Sequence, residues 1–226
     1  MNCKFYNDKF DYILIENTYT PNELKNIWNE LDDITPEMLG AEHTLSAKNK
    51  RGEYKKKNKG IFLDYSRFNN YKILDYQKKF LDNSFVNAPI SSIIFKYYPT
   101  YNPNKNVFFG LKTLISYYIN EDYYELHRDS SFFTLVTFLC KDNSKFSGGQ
   151  LIFPEYDVVI EPKNNSTIIF PSIVEHEVLP IKLEDNSNNY GRYSITNFMD
   201  MNANTNSNFI PKIGDQIDLS QFETFG

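Results

Sequence analysis

The sequence predicts a mainly β fold with flanking helices: a jelly roll or small barrel buttressed by N-terminal helices. Three observations predict it. From Leu111 onward eight short β-rich runs follow one another: LKTLISYYI, YYELHRD, FFTLVTFLC, QLIF, YDVVIE, STIIF, EHEVLPI and RYSITNFM. Each is bounded by Gly, Pro, Asn, Asp or Ser. Before them, apolar residues recur at helical spacing, as in Leu24, Ile27, Trp28 and Leu31. Finally, 226 residues with 41% apolar content suit a single domain with a real core. The expected organisation is one domain over 1–226. An N-terminal strand, helices and basic loop occupy 1–110, the β core 111–199, and a C-terminal tail 200–226.

The elements follow in order. FDYILIE (10–16) alternates enough for a strand. Thr20-Pro21-Asn22-Glu23 then offers a capping box with Pro at the first helical position, so a helix starts at Pro21. Its apolar stripe places Trp28 in the core. The polar stretch 38–60 carries Lys48, Lys50, Arg51, Lys55, Lys56, Lys57 and Lys59 against Glu53, cannot bury itself, and is expected to be a mobile loop. Helical patterns resume between Tyr71 and Phe85. They return after Pro89, where Ile90, Ile93, Ile94 and Tyr97 form a stripe that Pro99 stops. Ser147-Gly148-Gly149 predicts a hairpin turn between the third and fourth runs, and Pro162-Lys163-Asn164-Asn165 another between the fifth and sixth. The Asn-rich tail beyond Asp200 is expected to wrap the surface or fray.

A net charge of −5 gives no general attraction to nucleic acid or anionic membrane. Cys3 and Cys140 are too few for a disulfide framework, and no apolar run reaches the length of a membrane span. The expectation is a soluble, intracellular protein with free thiols. The frequent Asn and Lys are the usage of an AT-rich coding genome, such as a viral one.

The chemistry concentrates in four residues. Strand residues i and i+2 share a face, so His127 and Asp129 can place an imidazole and a carboxylate side by side. His176, just after STIIF and Pro171, offers a third corner. Two His and one carboxylate with open positions opposite form the ligand set of non-haem iron oxygenases, although His-x-Asp with a distant His also arises by accident. Arg192, on the last run, adds weight, because a dicarboxylate cosubstrate needs a buried cation and a guanidinium fork matches a carboxylate bidentately. Ser194 and Thr196 share its face and can add hydrogen bonds. The remaining histidine, His43, fits a surface or substrate-side position.

Tyr118-x5-Tyr124-x2-His127-x-Asp129, Ser147-Gly148-Gly149-x-Leu151, Ile169-Phe170-Pro171, His176-x-Val178 and Gly191-Arg192-Tyr193-Ser194 occur in an order that resembles the prolyl 4-hydroxylase-like branch of the 2-oxoglutarate, iron(II) oxygenases. The resemblance is close over 111–199 and looser upstream. It implies a double-stranded β-helix, a cupin-like barrel, with iron(II) on His127, Asp129 and His176. It places the distal carboxylate of 2-oxoglutarate on Arg192 and a further hydrogen bond on Tyr118, which also reads as barrel core. O2 is the oxidant, with ascorbate in a supporting role, and no catalytic residue is expected beyond the metal centre. The retained Asp129 favours hydroxylation over halogenation. The sequence departs at Glu121, where the family has Gly, and at Phe138, where some prolyl hydroxylases have Tyr. The stretch KLEDNSNNYG also lengthens the interval between His176 and Arg192.

The substrate this branch implies is a prolyl residue in a peptide or protein. The Lys48–Lys59 run would attract an acidic peptide, with Tyr54 and Tyr124 on the substrate side. Free amino acids or other small molecules form an alternative. Nucleic-acid demethylation is disfavoured because position 198 is Phe where such enzymes add a second Arg. A jelly-roll binding module without catalysis is the reading from a different class.

Overall fold

The computed structural model describes residues 2–63, 68, 70–82, 93, 96–98, 108–184 and 191–202. Most of the expected helix after Pro89, most of the polar stretch before Arg192, and the tail beyond 202 lie outside them. The described elements are β1 (Asn2–Tyr6), β2 (Tyr12–Glu16), α1 (Pro21–Ile34), β3 (Lys59–Leu63), α2 (Lys72–Asp82), β4 (Phe108–Tyr118), β5 (Tyr124–His127) and β6 (Phe133–Leu139). They continue with β7 (Phe146–Gly148), β8 (Leu151–Phe153), β9 (Val158–Ile160), β10 (Ser166–Pro171), β11 (His176–Val178), β12 (Ile181–Leu183) and β13 (Arg192–Asn202).

Seven strands make a major sheet in the order β1-β2-β10-β6-β13-β4-β3, and four make a minor sheet, β5-β11-β8-β9. Parity along each strand divides the side chains between two cores. Ile13, Ile15, Ile115, Leu135, Ile169 and Ile195 face α1 and α2, meeting Ile27, Leu31, Ile34, Ile73 and Leu74. Their alternates Phe138, Ile168 and Phe170 face Leu151, Phe153 and Ile160 of the minor sheet. The fold is thus the jelly roll expected, two facing sheets with helices behind the larger one. α1 begins at Pro21 with the capping box complete: Thr20 caps the Glu23 amide while the Glu23 side chain accepts from the Thr20 amide.

The stretch 38–60 is not a free loop. Leu39 and Gly60 exchange backbone hydrogen bonds of 2.9 and 2.8 Å, and a short 3-10 turn spans Ala41–His43. Residues 55–57 then lie along the open edge of β5: Lys57 N–H donates to Tyr123 O at 3.0 Å and Glu125 N–H to Lys55 O at 2.8 Å. A β-sheet edge satisfies the backbone whatever the side chains are, and lysine stems bury while their ammonium groups reach outward. Lys56 is the exception, at 5% exposure.

Two turns also differ. Ser147-Gly148 belongs to β7, which pairs with β12 rather than turning back on its neighbour. Gly148 and Gly149, both at positive φ, are needed there because a Cβ on Gly148 would stand 2.2 Å from Pro180 O. The Pro162–Asn165 turn joins β9 to β10 across the two sheets, so it is a crossover and not a hairpin. Glu121 takes φ 63, the left-handed conformation for which glycine is suited.

Candidate active site

β5 and β11 are antiparallel neighbours, and their register sets His127 opposite His176, with ring centroids 4.3 Å apart. β5 ends at His127, so Asp129 stands just past the strand rather than on it. Its amide donates to Ser172 O at 3.1 Å. Asp129 Oδ1 lies 3.7 Å from His127 Nε2 and Oδ2 lies 3.5 Å from His176 Nε2. The three ligand atoms fall within 4.8 Å of one another, at a mostly buried position.

Each imidazole is locked from behind. His127 Nδ1 meets Glu125 O at 2.8 Å and His176 Nδ1 meets Val174 O at 3.0 Å. A carbonyl oxygen only accepts, so Nδ1 carries the proton and Nε2 keeps its lone pair toward Asp129. Burial first, and the neighbouring His176 second, hold the His127 imidazole well below the ordinary histidine range, which keeps that lone pair available. The donor set therefore suits one divalent metal ion.

Asp129 is oriented by hydroxyl groups that the sequence did not single out. Thr134 Oγ1 donates to Asp129 Oδ2 at 2.6 Å and contacts Ser172 Oγ at 2.8 Å, which contacts Ser131 Oγ at 2.7 Å. Since the Thr134 proton is committed to the carboxylate, Ser172 donates to Thr134, and the one Ser131 proton is shared between Ser172 Oγ at 2.7 Å and Phe133 O at 3.1 Å. The available signal was parity: Thr134 shares the inward face of β6 with Val136 and Phe138.

Arg192 lies in register with Tyr118 on β13 and β4 and is 1% exposed. Its guanidinium sits 4.5 Å over the Tyr118 ring and 5.3 Å over Phe138, and it donates to Gly149 O at 2.5 Å. Phe138, in place of Tyr, thus offers a ring face where a hydroxyl would have been. Nε of Arg192 is buried with no hydrogen-bond partner. Among the described residues this buried cation meets two ring faces, one carbonyl and the Tyr118 hydroxyl but no counter-anion, and a carboxylate fits it. Burial pushes the Tyr118 phenol up to about 12, so it is a hydroxyl donor at neutral pH.

Two cavities meet at these residues. The inner one, about 50 Å³, brings His127, Asp129 and His176 together with Tyr118, Arg192, Ser194 and Thr196. The outer one, about 290 Å³, is rimmed by Thr44, Leu45, Lys112 and Arg128. Lys56, Leu114, Tyr124, Asp129 and Phe198 line both. Tyr124 stacks on His127 with centroids 3.6 Å apart, and its hydroxyl accepts from the Ala47 amide at 3.3 Å. Tyr54 lines neither cavity and instead lies beneath the Lys48 ammonium, 4.6 Å from it. The wall expected from Tyr54 is formed by Lys56 and Leu45, because residues 55–57 follow β5 and carry Tyr54 outward. His43 is exposed.

Residues 113–200 match the sequence model of the 2OG-Fe(II) oxygenase superfamily. This is the stretch that holds the triad and Arg192. The chain is similar in fold to a prolyl 4-hydroxylase from Pseudomonas putida, at 15% identity and a TM-score of 0.55, with 84% of this chain and 92% of that one covered. A prolyl hydroxylase from Trichoplax adhaerens, solved with a hypoxia inducible factor peptide fragment, gives 17% identity and a TM-score of 0.57 over 84% of this chain and 83% of that one. A viral collagen prolyl hydroxylase from Paramecium bursaria Chlorella virus-1, solved with 2OG, gives 13% and 0.51 over 83% and 94%. At these identities the likeness is one of fold. No curated protein matches the chain. No helix among the described residues is long and apolar enough to cross a membrane.

Proposed function

We propose that this chain is a 2-oxoglutarate- and iron(II)-dependent oxygenase that hydroxylates prolyl residues in a peptide or protein, with oxidative decarboxylation of 2-oxoglutarate to succinate and CO2. The carrying observation is Arg192: a fully buried guanidinium with an unpartnered Nε, sharing one small cavity with two imidazoles and a carboxylate. In this reading His127, Asp129 and His176 hold iron(II), and Arg192 takes the distal carboxylate of 2-oxoglutarate with Tyr118, Ser194 and Thr196 as further donors. Iron and 2-oxoglutarate, when bound, supply the oxidising chemistry by which one atom of O2 enters a substrate C–H bond and the other enters succinate. The chain supplies orientation: backbone carbonyls fix both imidazoles, Thr134 fixes Asp129, and Tyr124, Leu114 and Phe198 restrict water at the collar between the cavities. Prolyl peptides are supported by the neighbouring prolyl hydroxylase folds, one of them solved with a peptide fragment.

Mass spectrometry of a proline-containing peptide panel tests this. An added oxygen that requires both iron and 2-oxoglutarate, and that disappears in Asp129→Ala, is the expected result. Absence of iron-dependent succinate formation with every substrate would remove the oxygenase reading. Hydroxylation of free amino acids alone would move the substrate from peptides to small molecules.

A further inference from the structure

Lys56 has no function in the reading above. Its backbone is bridged to Tyr124, so its Cα is fixed beside β5, and the residue is 5% exposed. It lines both cavities at the collar where they meet. Its ammonium stands 5.7 Å from the centroid of Tyr124, the ring that stacks on His127. The neighbouring cations are engaged elsewhere: Lys55 donates to Leu126 O, Lys57 faces Glu121 at 3.9 Å, and Arg128 faces Glu175 at 3.6 Å. Lys56 has no carboxylate partner among the described residues. Asp129 is the sole acid among the described residues lining either cavity, and the metal centre claims it.

Resting on the hydroxylase reading, we propose that Lys56 anchors the substrate: its ammonium pairs with a carboxylate of the substrate, next to the carbon presented to the metal centre. A cation removed from water without a counter-charge is costly, and a ligand that brings the counter-charge recovers that cost on binding. Burial pushes the ammonium down to about 8, which leaves it largely charged at neutral pH. Arg192, deeper and on the opposite strand set, receives the cosubstrate, so the two cations divide two anions between the two cavities. The substrate carboxylate belongs either to an acidic residue or C-terminus adjoining the target in a peptide, or to a free amino acid.

Calorimetric binding under argon, with iron and saturating 2-oxoglutarate present, separates affinity from turnover. The panel pairs prolyl peptides bearing Glu or Asp beside the proline with their Gln or Asn counterparts, and free proline and glutamate with their amides. The wild-type chain is expected to favour carboxylate over amide at least tenfold in one arm. Lys56→Met, which removes a buried charge at nearly constant volume, should bring that ratio close to one, while Lys56→Arg keeps most of it. A preference confined to the peptides, or confined to the free amino acids, supports the anchor and names its source. A wild-type ratio near one in both arms, or a ratio that survives Lys56→Met, overturns the proposal. Carboxylate-selective binding with no iron-dependent succinate formation leaves the anchor standing and removes the hydroxylase reading, so the two fail separately.

Discussion

Asp129 faces the two imidazoles because a relay of three hydroxyls, Ser131 to Ser172 to Thr134, ends on its Oδ2. Thr134→Val keeps the shape of β6 and removes the last donor. Outer groups of this kind typically contribute about 10–100-fold to metal affinity, so iron binding should weaken by that order while thermal unfolding moves little. Competition with a chelator measures the first and calorimetry the second. That His127, Asp129, His176 and Arg192 would gather at one cavity was legible in the sequence, because few residue types suit a metal or a carboxylate. The relay was not, since Ser and Thr within a strand read equally as β-formers, and Lys56 was hidden in a run of lysines from which residue type alone does not distinguish the buried one. Arg192 carries a second prediction. Without a carboxylate it is a buried charge held by one carbonyl, two ring faces and the Tyr118 hydroxyl, so Arg192→Met should leave the cosubstrate-free protein as stable or more so. The same change should abolish the stabilisation that 2-oxoglutarate gives the wild-type chain, about 2.7 kcal/mol at a hundred times Kd. A melting temperature that still rises with 2-oxoglutarate in Arg192→Met would detach this residue from the cosubstrate.

Elements whose signals are local were legible, and those defined by a distant partner were not. α1 was written in Thr20-Pro21-Asn22-Glu23, and its capping box closes as the four residues require. Thr20→Ala leaves the Glu23 amide without its cap and should cost about 1 kcal/mol, read as a lower denaturant midpoint at unchanged slope. The eight β runs were visible as well, though EHEVLPI divides into β11 and β12, which join different sheets. β1 and β3 were missed, since NCKFY and KGIFL alternate weakly and become strands through β2 and β4. Residues 55–57 depend still more on context: three lysines are held in extended form by the unpaired edge of β5. That dependence explains why a stretch expected to move freely instead forms a wall of the outer cavity. α2 is tied to the major sheet by buried polar groups, where Asn197 donates to Gln77 at 2.7 Å and accepts from Thr113 at 2.8 Å. Period-2 parity places Asn197 on the helix side but does not say that it meets Gln77.

At the scale of the molecule, the major sheet serves two cores, one against helices and one against the minor sheet, and the cationic groups of the site lie on the inner side. Burying them makes stability respond to pH. Lys56 is lowered from 10.5 to about 8 by burial. Below pH 8 it is protonated in both folded and unfolded chains, and the folded state bears the cost of the buried charge. Between about 8 and 10.5 the folded chain has released the proton while the unfolded chain still holds it, so the unfolded state binds more protons and stability rises with pH. Above 10.5 both forms are neutral and the gain is complete. Tyr19 and Tyr118, pushed by burial from 10.0 to about 12, act in the opposite sense and only above pH 10. Subtracting the Lys56→Met profile cancels these tyrosines and every other group the two chains share. The difference in unfolding free energy, wild type minus Lys56→Met, should therefore climb by about 3 kcal/mol from pH 8 to 10.5 and then level. Denaturant titrations of the metal-loaded proteins across that range, without 2-oxoglutarate or substrate, measure it. A flat difference would mean that the Lys56 ammonium reaches water in the folded chain and does not bear the cost of burial.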